Sequence, residues 1–139
     1  MSRSGMLFAT LLLGLSACAH VAPRLISGGP NVDENGVRFT MYAPTATRVQ
    51  IAGSWPENNW ARGDGSVGEA DIGLMTDDDN NGLWEIVVPL PPGRHLYLFW
   101  LDENTWQLDP GNSEEVPGGP ARTASLIVVT VEEGKYRIR

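Results

Sequence analysis

The sequence predicts an all-β chain folded as an antiparallel β-sandwich, and three observations carry that reading. Apolar and polar residues alternate over short runs, the period of a strand with one buried face. Gly, Pro, Asn and Asp clusters punctuate the chain about every ten residues. Past residue 20 no stretch repeats its apolar positions at helical spacing.

The elements follow in order. "GVRFTMY" (36–42) puts Val37, Phe39 and Met41 on one face, and "RVQIAG" (48–53) puts Val49 and Ile51 inward. "LWEIVVPL" (83–90) follows Asn81-Gly82, a hairpin signal because both residues tolerate positive φ. "PPG" (91–93) turns the chain into "RHLYLFWLD" (94–102), where both faces are apolar: Tyr97, Phe99 and Leu101 on one, Leu96, Leu98 and Trp100 on the other. One-sided sandwich strands carry a polar outer face, so the second set forms an unexpected stripe. Three readings explain it: cover by the C-terminal "YRIR", a surface for a protein partner, or part of a ligand platform. A short strand starts near Trp106, "ASLIVVTV" (124–131) closes the set, and "EEGKYRIR" is an edge strand or a tail.

The N-terminus stands apart. "MSRSGMLFATLLLGLSACAH" has Arg3, an apolar run from Met6 to Leu15, then small residues before Cys18, the single cysteine. The run is too short for a helix to span a bilayer of about 30 Å and fits the apolar region of an export signal. "LSAC" (15–18) resembles the lipobox of bacterial lipoproteins, which implies a lipidated Cys18 as mature N-terminus; the plainer reading is an ordinary signal peptide. With no second cysteine, an intrachain disulfide is excluded. The expected layout is residues 1–17 as lipoprotein signal peptide, 18–35 as lipidated cysteine and tether, 36–131 as the sandwich, and 132–139 as edge strand or tail. The expected place is the bacterial envelope, with Ala19 rather than Asp after the cysteine favouring the outer membrane over the inner. The net charge of −7, with no basic run, argues against nucleic acid and anionic headgroups as partners. Attachment would come from the acyl chains.

Two of the five tryptophans, Trp55 and Trp60, sit in the polar loop "AGSWPENNW" (52–60). An exposed indole covers the apolar CH face of a pyranose, and amides such as Asn58, Asn59, Asn104 and Gln107 suit its hydroxyl rim. The competing reading packs Trp55 or Trp60 beneath the loop and lets Trp106 cap the sandwich. Catalytic motifs are lacking: His20 lies in the tether, His95 opens a strand, and Glu114-Glu115 lies in a Gly/Pro-rich loop. "DDDNNG" (77–82) matches the start of a calcium loop, but the twelfth position is Val88 instead of glutamate, so a hairpin turn is the better reading. Neither a metal nor another cofactor is expected.

"GVRFTMYAPTATRVQIAGSWPENNW" and "NNGLWEIVVPLPPGRHLYLFWLDENTWQLDP" together resemble the early-set immunoglobulin-like domains at the N-termini of isoamylases and glycogen-branching enzymes. This is carbohydrate-binding module family 48, which includes the glycogen-binding domain of AMP-activated protein kinase. The resemblance covers roughly residues 36–131 and implies an immunoglobulin-like early-set sandwich that binds α-glucan without catalysing a reaction. It implies stacking by Trp60 and Trp106, with Trp55 as a substitute because the loop is about two residues longer here. The family's lysine position falls on Leu98 and its late asparagine near Ala124 or Ser125, so two polar positions are lost. Two functions follow as expectations. One is a lipid-anchored envelope module binding α-glucan or a related saccharide through Trp60, Trp106, Trp55, Asn59 and Asn104. The other keeps the sandwich, has lost sugar binding, and meets an envelope protein through Leu96, Leu98 and Trp100.

Overall fold

The computed structural model describes residues 27–63 and 71–139. The expected leader, Cys18, His20 and the first part of the expected tether lie outside the described residues. The described strands are β1 (Asn31–Asp33), β2 (Gly36–Tyr42), β3 (Val49–Gly53), β4 (Leu83–Val88), β5 (Gly93–Leu101), β6 (Thr105–Gln107), β7 (Glu115–Pro117), β8 (Thr123–Glu132) and β9 (Lys135–Ile138). All their pairings are antiparallel, and no α-helix occurs among the described residues. One sheet runs β1-β2-β4; the other runs β3-β5-β8-β7, with β6 on β5 and β9 on β8.

The alternation does what its period requires. Val37, Phe39 and Met41 of β2 join Val49, Ile51, Tyr97, Phe99, Ile127 and Val129 of the facing sheet in one buried cluster. Phe39 meets Tyr97 across the layers edge to face, ring centroids 4.8 Å apart, an arrangement aromatic quadrupoles favour. The sandwich is therefore of the predicted all-β, immunoglobulin-like kind.

Two boundaries differ from expectation, and the C-terminal segment, expected as an edge strand or a tail, is a strand. Ser27, expected within the tether, is buried, and its Oγ accepts the Tyr42 amide at 2.7 Å. Asn31–Asp33 then pairs with β2 as an edge strand. Its alternation is too short to register as a strand in sequence. The C-terminal segment is strand β9, and Tyr136 and Ile138 lie opposite Val131 and Val129. Those partners share the parity of the core side, where Tyr136 and Ile138 pack. The C-terminus therefore does not cover the outer stripe of β5. Finally, the connection before β4 is longer than a two-residue turn. Thr76 and Glu85 exchange backbone bonds of 3.0 and 2.8 Å, while the Asp77 carboxylate accepts the Asn81 and Gly82 amides at 3.0 and 2.9 Å. The left-handed residues there are Asn80 (φ 57°) and Gly82 (φ 85°).

Candidate functional site

The loop after β3 is organised by Asn58. Its Oδ1 accepts the amides of Gly53 (2.7 Å) and Ala61 (2.8 Å), and its Nδ2 donates to the Ile51 carbonyl at 2.8 Å. One buried side chain thus replaces a neighbouring strand along the edge of β3, satisfying backbone groups that burial would otherwise penalise. Asn58 is 3% exposed, so it is a scaffold residue and not the hydroxyl partner its type suggested.

Trp55 is also buried, with its indole stacked near Phe39 (6.4 Å, 18°) and edge-on to His95 (6.1 Å, 86°). The expectation that Trp55 binds sugar is corrected: its ring fills the end of the core. His95 is held there through a 2.7 Å hydrogen bond between its Nε2 and the Pro91 carbonyl.

Trp60 has the opposite fate. Asn59, Trp60 and Ala61 all adopt left-handed backbone (φ 43°, 59° and 63°), costing about 1–2 kcal/mol per residue. The Asn58 bonds and the 2.8 Å bond from the Trp60 amide to the Gly53 carbonyl hold the strained run. It carries Trp60, half-buried, over the outer side of the six-stranded sheet, while the Asn59 side chain stays exposed and donates to Gly63 O.

A second turn meets Trp60 from the opposite edge. Gly119 (φ 72°) lies so close that a Cβ there would sit 2.7 Å from Trp60 Cη2, and one on Gly118 would sit 2.6 Å from Leu96 Cδ2. Below this crossing, Ala52 pairs with Leu98, and Ala124 follows next to the Tyr97–Ser125 pair. Ala52, Leu98 and Ala124 are 0%, 1% and 0% exposed. The expected partner surface of Leu96, Leu98 and Trp100 is therefore not a continuous exposed stripe. Leu98 is buried and Leu96 lies under Gly118, because the Trp60 loop and the Gly118-Gly119 turn cross this face. Neither family polar position is open: Leu98 fills one, while at the other Ala124 and Ser125 are fully buried, with Ser125 Oγ accepting the Asp109 amide at 3.0 Å.

Beyond Leu98 the face changes character. Trp100 pairs with Trp106 across β5 and β6, and their half-buried indoles stack with centroids 5.1 Å apart and planes 11° from parallel. The hairpin joining them is fixed from below. Asp102 and Glu103 are left-handed (φ 51° and 55°), and Asp102 Oδ1 accepts the amides of Thr47 (2.8 Å) and Arg48 (2.9 Å) and the Thr47 hydroxyl (3.0 Å). Those donors hold its carboxyl below the usual carboxylate range. Asn104, at the turn, is exposed, and Gln107 is half-buried with its amide donating to the Leu108 carbonyl.

After β6 the chain is anchored by Asp109, 2% exposed, which accepts the Tyr97 hydroxyl (2.7 Å) and the Gly111 amide (2.8 Å). Burial raises the Asp109 carboxyl above the usual range against the pull of those two donors. Burial, with Asp109 beside it, likewise pushes the Tyr97 hydroxyl upward. Asn112 completes the anchor, donating to Tyr97 Oη and to the Leu126 carbonyl. These groups are consumed by structure.

Arg48 and Gln50 flank Trp100 on the β3 side. Gln50 lies opposite Trp100 and is 2% exposed, and Arg48 Nε reaches Gln50 Oε1 (3.2 Å) and Glu103 Oε1 (3.4 Å). Arg48 Nη2 is buried, with no hydrogen-bond partner among the described residues. Among the described residues, no group of three or more His, Cys, Asp or Glu side chains is placed to hold a metal ion. Reading the sequence placed Trp106 by motif, but missed its contact with Trp100. A three-residue turn at 102–104 pairs residue 100 with 106, which was the available signal.

The face thus offers partly exposed indoles, Trp60 toward its middle and Trp106 at its end, on a sandwich whose polar groups are mostly committed. The chain is 36% identical over 69 residues to the 1,4-alpha-glucan branching enzyme GlgB of Nitrosomonas eutropha (strain DSM 101675 / C91 / Nm57). That match covers 50% of this chain and 8% of the enzyme. The family model for carbohydrate-binding module 48, the isoamylase N-terminal domain, matches residues 28–116. This range starts within β1's lead-in and runs through β6 and Asp109 into β7, so the chain belongs to the carbohydrate-binding module 48 family.

Proposed function

We propose that this chain is a non-catalytic, lipid-anchored envelope module that binds α-glucan or a related saccharide by tryptophan stacking. The observation that carries the reading is the partly exposed Trp106 on a domain of this family, at the end of the same sheet face that Trp60 overhangs. Asn104 and Asn59, both exposed, supply side-chain amides for hydroxyls. Trp55 has no part in it, and no partner surface is assigned to Leu98, both being buried. Stacking on one or two rings with few polar contacts implies a Kd of about 10 μM to 1 mM. Cys18 is the lipidation site, in an envelope lipoprotein anchored in the outer membrane in preference to the inner.

A specific observation favours a second reading, a protein-interaction module without sugar binding: the family's lysine and asparagine positions hold buried Leu98, Ala124 and Ser125. Electrophoresis in native gels containing glycogen or amylopectin decides between them. Retardation of the wild type, lost in Trp106→Ala at an unchanged unfolding midpoint, is the expected result. Equal migration with and without polysaccharide would sink the glucan reading. The anchor is tested separately by fractionation: Cys18→Ser should leave the membrane pellet, and a variant that stays there overturns it.

A further inference from the structure

Trp100 belongs to the outer stripe expected as partner surface or ligand platform, and it touches the residue that carries the proposed function. Cross-strand neighbours stand about 4.5–5.5 Å apart at Cβ, and the two indole centroids are 5.1 Å apart with planes 11° from parallel. Indoles lying flat and side by side on the sheet could not approach so closely without overlap. The rings therefore stand face to face, and their order across the sheet follows from the pairing. Gln50 of β3 lies on one side of Trp100 and Trp106 of β6 on the other. No described strand pairs with the far edge of β6. Trp100 is thus the enclosed member of the stack and Trp106 its terminal member.

We infer that Trp100 is a positioning residue: it seals one face of Trp106, fixes its rotamer, and leaves the other face presented off the free edge of β6 to a single pyranose ring. This rests on the saccharide reading above and deepens it. A face-stacked pair cannot offer two coplanar platforms, so the pair engages one sugar ring and not two consecutive ones. Without Trp100 the indole of Trp106 would have several rotamers open to it and would lose ordering that the stack now supplies before binding. The Asp102 clamp on the β5–β6 turn holds the register that makes the stack.

The experiment compares wild type with Trp100→Ala, Trp100→Phe, Trp106→Ala and Trp60→Ala by far-ultraviolet circular dichroism, urea unfolding and gel retardation on amylopectin. Closely stacked indoles couple their transitions, so wild type should show an indole couplet that Trp100→Ala and Trp106→Ala each remove and Trp60→Ala keeps. Trp100→Ala should remain folded and bind amylopectin roughly three- to tenfold more weakly. Trp100→Phe, which can still stack, should recover most of that affinity without the couplet. Wild-type retardation in a folded Trp100→Ala overturns the inference and leaves the saccharide reading standing. Absence of a couplet assignable to these two rings overturns it whether or not any polysaccharide binds. Wild type that shows the couplet but no retardation removes the saccharide reading, and with it the role of Trp100 in presenting a sugar site.

Discussion

The middle and the end of one sheet face differ in what lies over them. In the middle, Ala52, Leu98 and Ala124 are as thoroughly buried as the core itself, below a crossing made by the Trp60 loop and the Gly118-Gly119 turn. At the end, two large indoles stand only half-buried, and the outer one, Trp106, is on a strand whose far edge is unpaired among the described strands. The difference teaches that apolar residues on an outer strand face do not define a surface. Whether they are surface depends on what loops return across them.

The strongest way to break the closed middle is a charge. Leu98→Lys places an ammonium where the wild-type side chain is 1% exposed, and should lower stability by about 3 kcal/mol or more in urea unfolding. A change within ±0.5 kcal/mol would mean that the middle is open. The next effect is smaller. Gly119→Ala sets a Cβ 2.7 Å from Trp60 Cη2 at a φ of 72°, so about 1–2 kcal/mol should be lost. Trp60 should also shift its emission to longer wavelength as the turn lifts away.

The smallest effect concerns the acids that pin the open end, and it has opposite signs at its two anchors. Asp102 is held below its ordinary value of 3.8, so its contribution is present above that value and is lost as pH falls. Asp109 is held above 3.8. Its folded form keeps the proton more tightly than the unfolded chain does, so its contribution declines as pH rises through the folded value. Unfolding followed from about pH 3 to pH 7 should therefore show wild type losing its advantage over Asp102→Asn on acidification and gaining relative to Asp109→Asn. Parallel curves for all three would contradict the assigned environments.

Much of this was legible in the chain. The alternation of Val37, Phe39 and Met41 named the core face of β2, and the spaced Asn-Asn-Trp, Leu-Pro-x-Gly and Trp-x-x-Asp-Pro pieces named the family. Less legible was the division of labour inside single segments. Trp55 and Trp60 are five positions apart in one polar loop, and neither residue type nor alternation separates them. Asn58 decides, by bonding Ile51, Gly53 and Ala61 and thereby turning one indole inward and the next outward. β1 was hidden because a three-residue strand has too few positions to show a period.

By itself the sequence determined the sandwich, its core face and the strand that brings Trp106 to the surface, because strand periodicity and turn chemistry act over a few neighbouring residues. Only the tertiary structure decided which apolar side chains remain reachable. Burial is settled by segments distant in the chain: Gly119 against Trp60 and Gly118 against Leu96.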